Sequence, residues 1–325
     1  MRALRIVARR ALAALPTVLI VTLGAYLLLE SAPGDAADAY LAQTGGDAGF
    51  AAELRGRFGL AGSTPERLMR FYAGLLHGDL GPSAVFGRPV VAVILERLPT
   101  TLLLMGCAAA FTAGIGTLLG LAAGARPGSW RDHAVTLGTL ALLSMPNFWL
   151  ALLLILAFGV RLAWLPVGGL RTIGAPLTGL DAALDTARHL VLPTVALGAG
   201  YLALYARTLR AGMVAAWRED HVRAARARGL ADRAVMWRAV ARPALPPVVV
   251  LLGQQAGTLF GGSVVTETVF GIPGLGRLAY EAVAGRDTLL LVGVVLAGTG
   301  VVILANLLVD LVLARLDPRI GAGGG

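Results

Sequence analysis

Six stretches of this 325-residue chain, roughly 11–29, 101–124, 134–160, 189–206, 246–268 and 289–313, are apolar over about the length of a bilayer crossing. At 1.5 Å per residue, about 20 apolar residues in a helix cover the ~30 Å hydrocarbon core. Lipid offers no water to backbone N–H and C=O groups, so such runs must satisfy them internally, as a helix does. The expected fold is therefore an all-α polytopic membrane protein: six transmembrane helices in a single domain, 1–325. Composition agrees, with 57% hydrophobic and 14% charged residues and a mean hydropathy of +0.75. A soluble domain carries about a quarter charged residues.

The first run follows the basic segment MRALRIVARR, which resembles a signal-peptide flank. The run is too long for a signal h-region, and no clean small-residue cleavage site follows, so a retained span is expected. The net charge is +9, and all 28 basic residues are arginine. With the N-terminus inside, 17 arginines fall on the cytoplasmic side, nine of them between Arg207 and Arg242. The remaining 11 are spread over much longer outer loops. Positive residues mark the cytoplasmic side, which predicts an N-in, C-in topology. The basic balance is thus a matter of topology, and nucleic acid is not an expected partner.

Without lysine, the chain has no G-x-x-x-x-G-K-[ST] phosphate loop. Any ATP-driven work has to be supplied by a partner, and the chain is expected to bind no cofactor and to be no enzyme by itself. Cys107 stands alone inside an apolar run and reads as a small packing residue. His77, His133, His189 and His221 are scattered, with no pair at ligand spacing, so no metal site is expected.

Two loops are long enough to carry function. The outer loop, 30–98, contains Ser63-Thr64-Pro65-Glu66, a capping-box pattern with proline in the first turn, ahead of apolar Leu68, Phe71, Tyr72, Leu75 and Leu76. It predicts a small helical cap, which either shields the span ends or shapes the entrance for a docking partner. The inner loop, 207–245, is arginine-rich. Residues 213–228 lack a strong helix breaker, Gly229 offers a turn, and Asp232 is placed to cap a second helix. Ala224, Ala225 and Ala227 let a partner surface approach closely, and Arg223, Arg226 and Arg228 offer donors to acidic groups. An anchor at the lipid headgroups would need the arginines but not the small-residue patch or the glycine turn.

At this point the chain resembles a known family. RAARARGL, Arg223–Leu230, and the later Pro243-Ala-Leu-Pro-Pro247 are similar to the E-A-A-x-x-x-G cytoplasmic loop of binding-protein-dependent ABC importer permeases. The first acidic residue of that pattern is replaced by Arg223, as in the dipeptide, oligopeptide and nickel branch. LRIVARRALAALPTVLIVTLGAYLLLESAPGD, GDLGPSAVFGRPVVAVILERLPTTLLL, SMPNFWLALLLILAF, LAWLPVGG and TETVFGIPGLGRLAYEAV extend the resemblance over nearly the whole chain. Arg286-Asp287-Thr288 departs from it, since an aromatic and a proline commonly follow the aspartate.

The resemblance implies the type I importer fold and a coupling helix around Glu219–Leu230. Glu219, Asp220, Arg223, Ala224, Ala225, Arg226, Gly229 and Leu230 would then meet an ATP-binding subunit. It further implies a second, homologous permease subunit as heterodimer partner, two ATP-binding subunits carrying ATP and Mg, an extracytoplasmic solute-binding protein and surrounding membrane lipid. The location would be the cytoplasmic membrane of a prokaryote. ATP-driven closure of the paired ATPases would push the coupling helices together and turn the permease pair outward-open; hydrolysis would reset it.

Within the spans, Gly116-x-x-x-Gly120-x-x-x-Gly124 and Gly253-x-x-x-Gly257-x-x-x-Gly261 form two small-residue repeats. Such repeats let helices pack backbone to backbone, inside the chain or at a seam with a second permease subunit. The few polar residues include Ser144, Asn147, Gln254, Gln255, Thr258, Ser263, Asn306 and Asp310. Asn147, Gln254, Gln255 and Thr258 are candidates for a translocation path. Gln254 and Gln255 lie about 100° apart on a helix, so only one of them is expected to face it. Asp310 is expected to pair with Arg315.

The function the resemblance implies is half of an ABC import pathway for peptides, with a nickel permease of the same family as the alternative and, more remotely, a secondary transporter. A secondary transporter would need inverted repeats and midplane charges, and neither is evident. An intramembrane enzyme would need a nucleophile–base or metal constellation, which the histidines and Cys107 do not supply.

Overall fold

A computed structural model describes residues 2–31, 34–44, 48–58, 60 and 62–316. Among these the regular secondary structure is all helical, joined by irregular segments such as 77–89 and 162–178, with one isolated bridge between Pro82 and Pro89. The helices are α1 (Arg2–Glu30), α2 (Ala36–Thr44), α3 (Ala48–Arg57), α4 (Thr64–Leu76), α5 (Val90–Ala125), α6 (Trp130–Ser144) and α7 (Asn147–Leu154). They continue as α8 (Gly179–Ala216), α9 (Asp220–Ala227), α10 (Asp232–Val235), α11 (Arg242–Ala244), α12 (Pro246–Phe270), α13 (Leu275–Ala284) and α14 (Thr288–Leu316). Four helical stretches among the described residues are long and apolar enough to cross a membrane: Val90–Ala125, Gly179–Ala216, Asp232–Phe270 and Thr288–Val309. In α1 the apolar stretch is shorter, Leu12–Leu28.

The third expected span, 134–160, is not one straight helix. α6 and α7 meet at an angle of 103°. Pro146 lacks an N–H and disfavours helical geometry at the residue before it, and Met145 is extended at φ −85°, ψ 129°. α7 then runs into a π-helical stretch, Ile155–Arg161.

The chain divides into two compact units, Met1–Leu102 with Gly271–Leu304 and Leu103–Phe270 with Ala305–Gly325. In the first unit α4 starts as its capping pattern requires, Ser63 N–H donating to the Glu66 carboxylate at 3.0 Å. Phe71 is buried beside Tyr26 of α1, ring centroids 6.2 Å apart, and the Tyr72 and Thr22 hydroxyls lie 3.1 Å apart. Arg55 of α3 bridges Asp35 at 2.7 Å and Asp38 at 2.6 Å. The departing Arg286-Asp287-Thr288 segment forms a capped helix start. Asp287 is buried and accepts hydrogen bonds from the Ser83 hydroxyl (2.6 Å), Val85 N–H (3.1 Å) and Leu290 N–H (3.0 Å).

The second unit is built on α8, against which α6, α7, α11 and α12 pack. In its most apolar window 67% of residues are buried, against 28–33% in the other three stretches, so α8 is the enclosed helix. Its 38 residues span about 57 Å, well beyond a ~30 Å hydrocarbon layer, so its end lies clear of the lipid. Arg210 of α8 holds Asp132 of α6 through two N–H donors, and Gly128 N–H also donates to that carboxylate at 2.9 Å. The Leu-Pro-Val-Gly-Gly turn abuts the end of α12. Gly169 N–H donates to the Phe270 carbonyl at 2.7 Å, and a Cβ on Gly168 would stand 2.5 Å from that oxygen. Only glycine permits this approach.

Candidate functional site

The expected inner loop resolves into a short surface helix on a rigid base. α8 does not run on to Arg228; it stops at Ala216, and the chain turns through 217–219 into α9. α9 has only eight residues, fewer than the ~12–15 an isolated helix needs to be even marginally stable in water. Its stability comes from packing. Val222 and Ala225 are buried in an apolar cluster with Tyr205, Leu209, Met213, Ala216, Val235, Val240, Ala241, Ala244 and Val248. Full burial of a valine side chain alone contributes about 1.5–3 kcal/mol.

This corrects one expectation: Ala225 points into the protein and is not open to a partner. Asp220, Arg223, Ala224, Arg226 and Ala227 make up the exposed face, with Glu219 exposed at the N-cap. Gly229 takes the left-handed turn, φ +75°, and Leu230 tucks partly under, against the cluster. Asp232 is the first residue of α10, and the cap position belongs to Ala231. Arg223 lies 3.5 Å from Asp220 and Arg226 4.0 Å from Asp232. All four side chains are largely exposed, so these pairs restrain the arginines weakly and leave them open to other acids. His221 Nε2 lies 2.8 Å from the Ala239 carbonyl, tying α9 to a π-helical stretch between α10 and α11.

The glycine repeats separate in their surroundings. Cβ atoms on Gly116, Gly120 and Gly124 would stand 2.6 Å from Tyr205 Cβ, 2.9 Å from Leu209 Cβ and 2.7 Å from Met213 Sδ, respectively. That repeat is a backbone seam between α5 and α8. Gly253 abuts Val309, Gly257 is exposed, and Gly261 has no neighbour within 4 Å of a Cβ. The second repeat therefore does not form one packed face.

Of the path candidates, Gln255 is buried and accepts the Tyr205 hydroxyl at 2.6 Å, while Gln254 and Thr258 lie together on the exposed side of α12. Asn147 is half-buried at the start of α7, facing Gly200 of α8 and Gly262 of α12. Asp310 and Arg315 lie outside the described side chains. Cys107 helps line a cavity of about 750 Å³ between α5 and α8, with Phe111, Arg171, Thr186 and Thr194. Among the described residues, no three His, Cys, Asp or Glu side chains are grouped to hold a metal.

Two residues escape the sequence reading. Glu267, near the end of α12, is wholly enclosed, and a carboxylate inside an apolar run was signal enough to find it. Trp217 gave no such signal, because its importance lies in contacts from three helices.

An apolar helical scaffold presenting a short basic helix has a counterpart among known proteins. The model of the family described as binding-protein-dependent transport system inner membrane component matches residues 116–322. The chain belongs to that family. Over 98% of its length it is 36% identical to a di/tripeptide transport system permease protein of Pseudomonas aeruginosa, 98% of which is covered. A glutathione transport system permease protein of Pectobacterium atrosepticum is 37% identical, covering 96% of this chain and 97% of that one. An oligopeptide transport system permease protein of Bacillus subtilis is 31% identical over 96% and 98%. This chain is thus a multi-pass membrane permease of a binding-protein-dependent ABC importer. Membership in that family implies that it works with other subunits.

Proposed function

We propose that this permease forms half of a peptide translocation pathway across the cytoplasmic membrane of a prokaryote. Its partners would be a second permease subunit, two ATP-binding subunits and an extracytoplasmic solute-binding protein. Peptide substrates are supported by the relatives, which are named for di/tripeptide, glutathione and oligopeptide transport. The chain spans the membrane six times with both termini inside, α1 and the bent α6–α7 pair completing the set. It performs no catalysis itself; ATP and Mg reside on the partner subunits.

The exposed face of α9 is the observation that carries this reading. Small Ala224 and Ala227 lie among Arg223, Arg226 and Arg228, while the opposite face is anchored in a buried apolar cluster. That combination suits a helix gripped by an acidic groove and required to pass movement inward without folding away. The Gln254–Thr258 side of α12, with Gly257 and Gly261, supplies a polar, uncrowded face for the pathway.

Co-purification of the transporter tests the reading. Ala224→Glu, with Ala227→Glu as a second variant, places a carboxylate on the exposed face. We expect both to retain a folded permease and lose the ATPase subunits, whereas wild type retains them. Undiminished ATPase association in both variants would overturn α9 as the docking site.

A further inference from the structure

Trp217 stands where three helix ends meet. It is the C-cap residue of α8, its indole N–H donates to the Gly124 carbonyl at 2.9 Å, and the Arg226 guanidinium lies 5.0 Å from its ring centroid. Gly124 is in the last turn of α5, where carbonyls have no partner within the helix. Arg226 is in the last turn of α9. A single half-buried side chain therefore joins the ends of α5, α8 and α9.

The character of these contacts distinguishes them from the rest of the α9 base. Val222 and Ala225 sit in an apolar cluster whose packing is non-directional, and the His221–Ala239 bond, though directional, does not reach α5. A hydrogen bond weakens steeply when its angle is lost, and a cation–π contact requires the cation over the ring. Displacement of α9 therefore moves Trp217, and Trp217 pulls on the end of α5. The Gly116–Gly120–Gly124 seam holds α5 flush against Tyr205, Leu209 and Met213, so displacement at Gly124 is passed along the helix pair instead of being absorbed in side-chain slack.

We infer that Trp217 is the positioning residue through which movement of α9 reaches α5, with Arg226 as its contact on α9. The inference rests on the reading of α9 as the ATPase docking helix. Trp217 touches neither nucleotide nor substrate and acts through its neighbours.

The experiment uses the complete transporter in proteoliposomes. Phosphate release is measured with and without the solute-binding protein, which is added with the ligand it carries when purified from cells. Two aromatic variants separate the hydrogen bond from the ring: Trp217→Phe keeps the larger apolar ring but lacks the ring N–H, and Trp217→His is smaller still but keeps one. Trp217→Phe is expected to assemble with the ATPases and hydrolyse ATP at the basal rate. Its stimulation by the binding protein should fall about fivefold or more, the lower end of usual coupling between sites. Trp217→His should recover most of that stimulation. Equal behaviour of the two variants, whether both stimulated normally, both uncoupled or both failing to assemble, makes Trp217 a packing residue and overturns the inference. Failure of the docking reading would register separately, as undiminished ATPase association in Ala224→Glu.

Discussion

Gly120 offers the sharpest test of the α5–α8 seam. An alanine methyl there would stand 2.9 Å from the Ala206 carbonyl oxygen, 2.9 Å from Leu209 Cβ and 3.1 Å from Ala206 Cα. Unstrained carbon contacts lie at about 3.5–4.0 Å, so the overlap is about half an ångström on more than one side. The atoms in the way belong to the α8 backbone or its first side-chain carbon, and no rotamer change removes them. Overpacking of this kind costs about 1–3 kcal/mol. Replacing glycine by alanine inside a helix offsets up to ~1 kcal/mol of that. The net expectation is a loss of about 1–2 kcal/mol.

Gly114, on the same helix, supplies the control, because nothing lies within 4 Å of its Cβ position. Gly114→Ala carries only the favourable propensity, a gain of up to ~1 kcal/mol. Thermal unfolding of the detergent-solubilised permease, followed by fluorescence-detected size exclusion, should show the two alanines shifting the midpoint in opposite directions. Equal midpoints for Gly114→Ala and Gly120→Ala, or a Gly120→Ala protein as stable as wild type, would refute the seam.

Three further outcomes follow from the geometry. Tyr205→Phe removes the donor to Gln255, whose Nε2 already has no hydrogen-bond partner among the described residues, and should cost about 1–3 kcal/mol; the Tyr205→Phe/Gln255→Leu double variant should regain most of it in the same melt. Ala225→Glu drives a charge into the cluster under α9 and should lower the yield of folded permease, whereas Ala224→Glu should not, which size-exclusion profiles of the two would separate. In the 30–98 loop, burial raises the Asp35 pKa, but Arg55 and backbone N–H groups outweigh it and hold the carboxyl below its usual value. The contact is therefore intact above the unfolded carboxyl range near ~3.9 and weakens as pH falls through the lower folded value. Protease cleavage within 36–57 should rise on acidification below about pH 4; an Arg55→Gln protein with the same pH profile as wild type would count against the pairing.

Much of the architecture was legible in the chain because its signals are local. Apolar runs of about 20 residues must become helices in lipid, and the Ser63–Glu66 pattern starts a helix through groups three residues apart. The end of the basic surface helix was equally readable, since Gly229 requires a left-handed backbone, but its start was not, because nothing in 213–228 breaks a helix strongly. The break at Pro146 was not legible, because proline is ordinary in membrane helices, and its 103° angle depends on what α7 packs against.

What only the tertiary structure decided is which side of each helix meets protein. Two glycine repeats with identical spacing behave differently: one is pressed against α8, and the other drifts from Val309 into the open. Gln254 and Gln255 are neighbours in sequence, yet Tyr205 takes one and leaves the other exposed. Ala224 and Ala225 divide in the same way across the face of α9. In a chain apolar on nearly every side, hydrophobic periodicity no longer distinguishes lipid from protein, because both reward the same side chains. Close approach and hydrogen bonding make that distinction, and they depend on residues distant in sequence.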